Sequence, residues 1–298
     1  MELLRRIFRI ITAPFRFLGR IFRAIFNWFN RTGSNLHNFF TEEPEEVPIT
    51  DTLSKTVQDP TGLFVHLDAL RKHLLRASMV FLLLTAVALF FNEQILEFMT
   101  RPVGGIKDVI AIDVTEPLST VMKTTLLVGF ALSLPYIAFE IYLFVAPGVG
   151  PGARKWGLLA IPAVMILFVG GMSFAYFVML PTAVPFLLSI GGVTPQIRLS
   201  SIVGFVTRVL FWIGLSFEFP LIILILASLG VVNSKMLLTN WRIAVVVIAV
   251  VAAVVTPTID PVNMMIVMGP LIALYFLSIG LAALAQRNRE KIPAANET

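Results

Sequence analysis

Apolar residues concentrate in six stretches of this chain, and the polar and helix-breaking residues collect between them. The runs lie near Ala77–Phe91, Thr124–Val145, Gly157–Leu180, Gly204–Leu229, Ile243–Val255 and Met264–Ala285. The second, third, fourth and sixth can cross the ~30 Å hydrocarbon core of a bilayer at ~1.5 Å per helical residue. The first reaches that length only with the amphipathic turns before it. The fifth has 13 residues, which make only about 20 Å of helix. So short a span implies local thinning of the bilayer or cover by neighbouring helices. Pro- and Gly-rich clusters at 146–152, 181–185 and 256–261 fall between runs and predict loops. The pattern predicts an all-α integral membrane protein, with six transmembrane helices over residues 61–291.

A different pattern occupies the amino-terminal segment. Arg5, Arg9, Arg16, Arg20 and Arg23 fall within about 60° of one another on a helical wheel. Ile7, Ile10, Phe17, Ile21, Phe22, Ile25 and Trp28 cover the opposite side. Residues 1–40 are therefore expected to form a basic amphipathic helix in the membrane interface, kinked at Pro14 and Gly19. Arginines interrupt every candidate apolar core there, so a cleavable signal peptide is not expected. Residues 41–60, with Glu42, Glu43, Glu45, Glu46 and Asp51, predict an acidic disordered linker, and residues 292–298 a short tail.

Composition narrows the chemistry. At 57% hydrophobic and 14% charged, with 25 Phe, the 298-residue chain is far too apolar for soluble domains. The absence of Cys excludes disulfides and thiolate metal sites, and His37, His66 and His73 offer no ligand pair on adjacent turns of a helix. No metal site or cofactor is expected. No P-loop, HExxH or nucleophile elbow appears, so no enzyme chemistry is expected either. A net charge of +5 points, in so apolar a chain, to anionic lipid headgroups rather than nucleic acid. With the amino terminus inside, ten Lys and Arg flank the spans on the inner side and five on the outer. That bias predicts both termini in the cytoplasm.

Within the fourth run, Glu218 is a lone carboxylate among Phe, Leu and Ile. A charge at mid-membrane costs about 2.5–3.5 kcal/mol on insertion scales, which the surrounding apolar residues offset. Pro220 lacks a donor for the carbonyl of Ser216, so a kink beside the acid is expected. Glu218 serves either a cavity that receives a substrate or partner helix, or a structural hydrogen bond to a neighbouring helix. Glu116 and Lys123 flank the outer end of the second run, as interfacial anchors or partner contacts. Asp260, between prolines, is a turn former or an outer-face contact.

The order of short motifs resembles the TatC family, the core subunit of the twin-arginine protein translocase. They are His66-Leu-Asp-Ala-Leu-Arg71, Glu116-Pro-Leu with Lys123, Phe139-Glu-x-x-x-Phe144-x-x-Pro147-Gly148, Phe174-Ala-Tyr-Phe-x-x-Leu-Pro181, Ser216-Phe-Glu-Phe-Pro220 and Thr256-Pro-Thr-Ile-Asp-Pro-Val-Asn-Met264. The resemblance covers roughly Leu63–Lys291. It implies a concave, cup-like wall of six helices in the plasma (inner) membrane that binds signal peptides of folded export substrates. It also implies assembly with TatA/TatB-like single-span subunits, as a homo- or hetero-oligomer, and transport driven by the proton-motive force.

Carried over residue by residue, the resemblance makes Asp68, Arg71, Glu140, Phe144 and Pro147 candidates for signal-peptide or partner binding. Glu218 becomes the intramembrane polar site. The family contacts the arginine pair of a signal peptide with two glutamates, and this chain has Ala69 and Ala153 at the matching positions. Methyl groups cannot replace a charge-assisted, directional arginine–carboxylate contact. Asp68 lies one residue, about 100° of helix, from the required face. Altered recognition of the arginine pair is one reading. A divergent paralogue that scaffolds assembly without twin-arginine recognition is the alternative.

Overall fold

A computed structural model of the chain describes residues 60–145, 151–189, 196–228, 230–255 and 261–290. The predicted interfacial helix, acidic linker and tail lie outside the described residues, as do Pro147 and Asp260. The chain order begins with helix α1 (Pro60–Leu89), a short α2 (Asn92–Thr100), strand β1 (Val109–Ile110) and α3 (Glu116–Val145). Then follow α4 (Pro151–Phe174), a π-helical segment (Ala175–Met179), α5 (Leu180–Ser189), strand β2 (Ile197–Arg198) and α6 (Leu199–Phe217). Four more helices complete it: α7 (Phe219–Ser228), α8 (Ser234–Thr239), α9 (Trp241–Val255) and α10 (Pro261–Glu290).

Five stretches are long and apolar enough to cross a membrane: Leu67–Leu89, Glu116–Val145, Ala160–Ser189, Leu199–Ser228 and Met264–Gln286. The fifth run forms only the shorter apolar helix Trp241–Val254. It lies against α10, in keeping with cover by a neighbouring helix.

One expectation fails. Pro181 and Pro185 do not sit in a loop; both lie within α5, which continues the third span. The reason lies just upstream, where the helix widens into the π-helical segment Ala175–Met179. A wider turn alters which carbonyls seek a partner, so two residues without donors cost less there than in a regular α-helix. The cluster at 146–152 also yields residues to a helix, because Pro151 opens α4, where its fixed φ suits the first turn.

Polarity is arranged as lipid requires. Ile166, Phe177, Leu82, Val254 and Met265 turn outward and are exposed, while Thr120, Thr124 and Thr125 are buried on α3. The three threonines return their hydroxyls to carbonyls of their own helix, so no buried donor is orphaned there. The core between the spans is built on Phe168, Val203, Val206, Leu210 and Ile213. Helix α1 lies along α3; α3 meets α4 and α6; α7 and α9 both pack on α10. Glycine sets two of these approaches. A Cβ on Gly129 would fall 2.7 Å from Thr85 Cα, and one on Gly171 would fall 2.9 Å from Gly214 Cα. Helices lacking hydrophobic drive in lipid gain association energy from such close backbone contact.

Candidate functional site

Ala69, His73 and Arg76 recur at helical spacing and are the half-buried positions in an otherwise exposed stretch of α1. That face meets α3. His73 Nδ1 lies 2.5 Å from Glu140 Oε2, and Arg76 Nη1 lies 3.8 Å from the same oxygen. Tyr136, one turn before Glu140, donates its hydroxyl to the other oxygen at 2.6 Å. Glu140 is 1% exposed. A carboxylate so far from water needs a paired, hydrogen-bonded environment, and these three side chains supply it. The His73 ring also meets Phe144 edge-on, with centroids 6.2 Å apart. Glu140 and Phe144, one turn apart, are thus joined through a single residue of the first span.

Asp68 stands off this face. It is exposed and paired with Lys72 at 2.6 Å, and Arg71 beside it is exposed too. Ala69 occupies the inward position, so no carboxylate projects from that face of α1 at this turn. Ala153, at the other position where the resemblance expects an acid, falls in the first turn of α4.

Glu218 occupies the break between α6 and α7. Its backbone N–H bonds to Leu215 O at 3.1 Å, and its carbonyl accepts from both Leu221 and Ile222 at 3.0 Å. Pro220 lies in the first turn of the restarted helix, so the interruption coincides with the missing donor. Side-chain Oε1 is buried and has no hydrogen-bond partner. One turn earlier, Gly214 closes on Phe168, and Phe217 stacks on Phe174 of the third span. The acid therefore projects from a helix break against a tight, apolar helix crossing. An unsatisfied buried oxygen costs stability.

Glu116 is bound on every side. Oε2 accepts the N–H groups of Ile112 (2.6 Å) and Asp113 (3.1 Å). Oε1 accepts Arg198 Nε at 2.5 Å, Ser200 N–H at 3.2 Å and the Ser200 hydroxyl. These bonds join the start of α3 to the start of α6, next to the parallel pairing of Val109 with Ile197 and Ile110 with Arg198. Asp113 accepts from the Thr115 N–H and hydroxyl, which hold its carboxyl below the usual range. Lys123, two turns into the span, is exposed.

Three participants escaped the sequence reading. His73, Arg76 and Tyr136 surround Glu140, yet two of them are 67 and 64 residues away from it in the chain. The available signal was the i, i+4, i+7 series Ala69, His73, Arg76, which faces one way on a helix. In the sequence Arg198 is one of the five outer basic residues, and nothing local links Ser200 to Glu116. Among the described residues, no group of three or more His, Cys, Asp or Glu is placed to hold a metal.

Known proteins resemble this chain over the same region. Residues 65–270 match the family model TatC, described as Sec-independent protein translocase protein. A TatC from Carboxydothermus hydrogenoformans is 35% identical over 226 residues, covering 75% of this chain and 93% of that protein. A TatC from Deinococcus radiodurans is 37% identical over 230 residues, covering 74% and 85% respectively. Among solved structures, the crystal structure of a twin arginine translocase receptor, TatC, superposes with a TM-score of 0.64 at 29% identity. It covers 74% of this chain and all of that one. A second TatC crystal structure, determined in DDM, gives 0.65 at 28% identity. The apolar spans and these matches make the chain a multi-pass membrane protein, and it belongs to the TatC family of Sec-independent protein translocase proteins.

Proposed function

We propose that this chain is the core membrane subunit of a twin-arginine translocase, the receptor for signal peptides of folded proteins exported by the proton-motive force. One observation carries the reading: the fold superposes on the full length of a solved twin arginine translocase receptor. The chain works in the plasma membrane with both termini in the cytoplasm, together with TatA/TatB-like single-span subunits. Signal peptides meet it around Phe144 at the end of α3, with Pro147 just beyond it in sequence, and at Asp68 and Arg71 of α1. Glu140 acts there indirectly, because its oxygens are already taken by His73, Arg76 and Tyr136. Asp68 is the acid open to an incoming arginine, and it must release Lys72 to accept one. Glu218 receives a polar group of a substrate or partner helix within the membrane. Glu116, Lys123 and Asp260 contact partners on the outer face, and the basic amino-terminal segment binds anionic lipid.

Site-specific crosslinking tests this reading. A photoprobe next to Phe144 should label a twin-arginine signal peptide, and lysines in place of both arginines should abolish the label. Labelling indifferent to that change would favour the second reading, a scaffold without arginine recognition. The alanines at 69 and 153 are what speak for that alternative. Liposome co-sedimentation tests the amino-terminal helix; binding that ignores anionic lipid content would remove the electrostatic role.

A further inference from the structure

A groove of about 380 Å³ opens between α2, α3 and the third span. Its walls are apolar: Phe98 from α2, Val128 and Leu132 from α3, Met165, Met172 and Tyr176 from the third span. Phe98 and Tyr176 form a fixed upper wall, with rings stacked 4.1 Å apart and the Tyr176 hydroxyl bonded to Phe98 O at 2.8 Å. Leu132 and Val169, on the rim, are 44% and 40% exposed, so the groove faces outward along the spans.

Size and length select the occupant. Met165 to Tyr176 covers about 16 Å of helix axis, close to the ~15 Å depth of one leaflet. A helix with side chains, 10–12 Å across, would need more than about 1,200 Å³ over that length. A cavity of ~150 Å³ admits the six carbons of benzene, so this groove has room for about fifteen carbons in file. An acyl chain fits within those dimensions, whereas a helix could lie only across the open side of the groove.

Two charged side chains stand beside the Phe98 wall of the groove. Arg101, following α2, holds its guanidinium 5.7 Å from the centroid of the Phe98 ring. Glu97 lies one turn earlier on the same side of α2. Both are exposed, and neither forms an ion pair among the described residues. A cation and an anion side by side complement a headgroup that carries phosphate and ammonium together. We propose that the groove holds one acyl chain of a zwitterionic phospholipid, with its phosphate on Arg101 and its ammonium on Glu97.

The test uses the full-length protein in mild detergent and phosphatidylethanolamine bearing a diazirine in the acyl chain. Photolysis should place the adduct on peptides containing residues 128–132 and 165–177. Leu132→Trp and Val169→Trp, which fill the groove from different helices, should each lower that adduct about fivefold or more. Gel-filtration profiles like the parent's establish that both variants fold, and misfolding of one leaves the other as the test. Native mass spectrometry should show phosphatidylethanolamine retained about tenfold better than phosphatidylglycerol, with Arg101→Gln reducing its retention about as much. Adducts spread evenly over all lipid-facing residues, or unchanged in both Trp variants, would overturn the site. Retention indifferent to headgroup and to Arg101→Gln would overturn the headgroup assignment.

Discussion

His73 Nδ1 and Glu140 Oε2 lie 2.5 Å apart although 67 residues separate them in the chain. The bond fixes the first span against the second at the end where Phe144 lies, and Phe144 itself touches the same imidazole. An acid that resembles a candidate for direct signal-peptide contact is thereby enclosed by its own neighbours. Its side-chain link to Phe144 runs through His73.

Removing Glu140 should therefore damage stability first. Glu140→Ala leaves His73, Arg76 and the Tyr136 hydroxyl without their shared acceptor, at an expected cost of about 2–4 kcal/mol. Glu140→Gln keeps an oxygen for Tyr136 and should cost clearly less. Thermal unfolding in detergent ranks the two, and equal melting would show that the oxygen kept for Tyr136 contributes nothing. His73→Ala should weaken crosslinking from a Phe144 probe, because the edge contact that orients this ring is lost.

Glu116 clamps two segments that are 82 residues apart at Arg198 and 84 at Ser200. Glu116→Ala orphans backbone and side-chain donors together and should cost about 2–4 kcal/mol. Arg198→Gln should cost under about 1 kcal/mol, because the guanidinium is 44% exposed and water screens the pair. Limited proteolysis between residues 101 and 113 should accelerate in the first variant and hardly change in the second.

The Gly129 contact makes a steric prediction. Its missing Cβ would sit 2.7 Å from Thr85 Cα and 2.8 Å from Thr85 N, so backbone must move. Gly129→Ala should destabilise by about 1–3 kcal/mol. Gly280→Ala is the control, since nothing lies within 4 Å of its built Cβ, and it should be neutral or slightly stabilising. Melting temperatures of both variants decide the point.

Glu218 should separate stability from function. Glu218→Leu removes an unpartnered buried oxygen, so it should raise stability by about 1–3 kcal/mol while export fails. Normal export by the stabilised variant would return the acid to a structural role.

Asp113 gives a pH prediction. Its hydrogen bonds to Thr115 lower its carboxyl below the ordinary 3.8. The folded value is the depressed one, so the stabilisation is present above pH ~4 and disappears as pH falls through the folded value. The melting difference between the parent and Asp113→Asn should be visible at neutral pH and vanish below that range.

Sequence periodicity marked the spans well because lipid imposes length and polarity on each segment separately. It failed at Pro181–Pro185, where a π-helical segment upstream lets the helix continue through residues that usually end one. For the site, local order located Glu140, Phe144 and Glu218 as residues of interest. It did not show that Glu140 is enclosed and that one oxygen of Glu218 is unpartnered. Burial and partnership depend on other helices, which no local window contains.

The sequence by itself determined the membrane class, the short fifth span and the family, since each rests on composition or on motifs in order. The tertiary structure alone decided what each carboxylate does. Glu116 and Glu140 differ from Glu218 because donors from distant segments converge on the first two and none reaches Oε1 of the third. A carboxylate has the same intrinsic chemistry at all three positions, and only the placement of donors around it separates a clamp from an acid with one oxygen unpartnered.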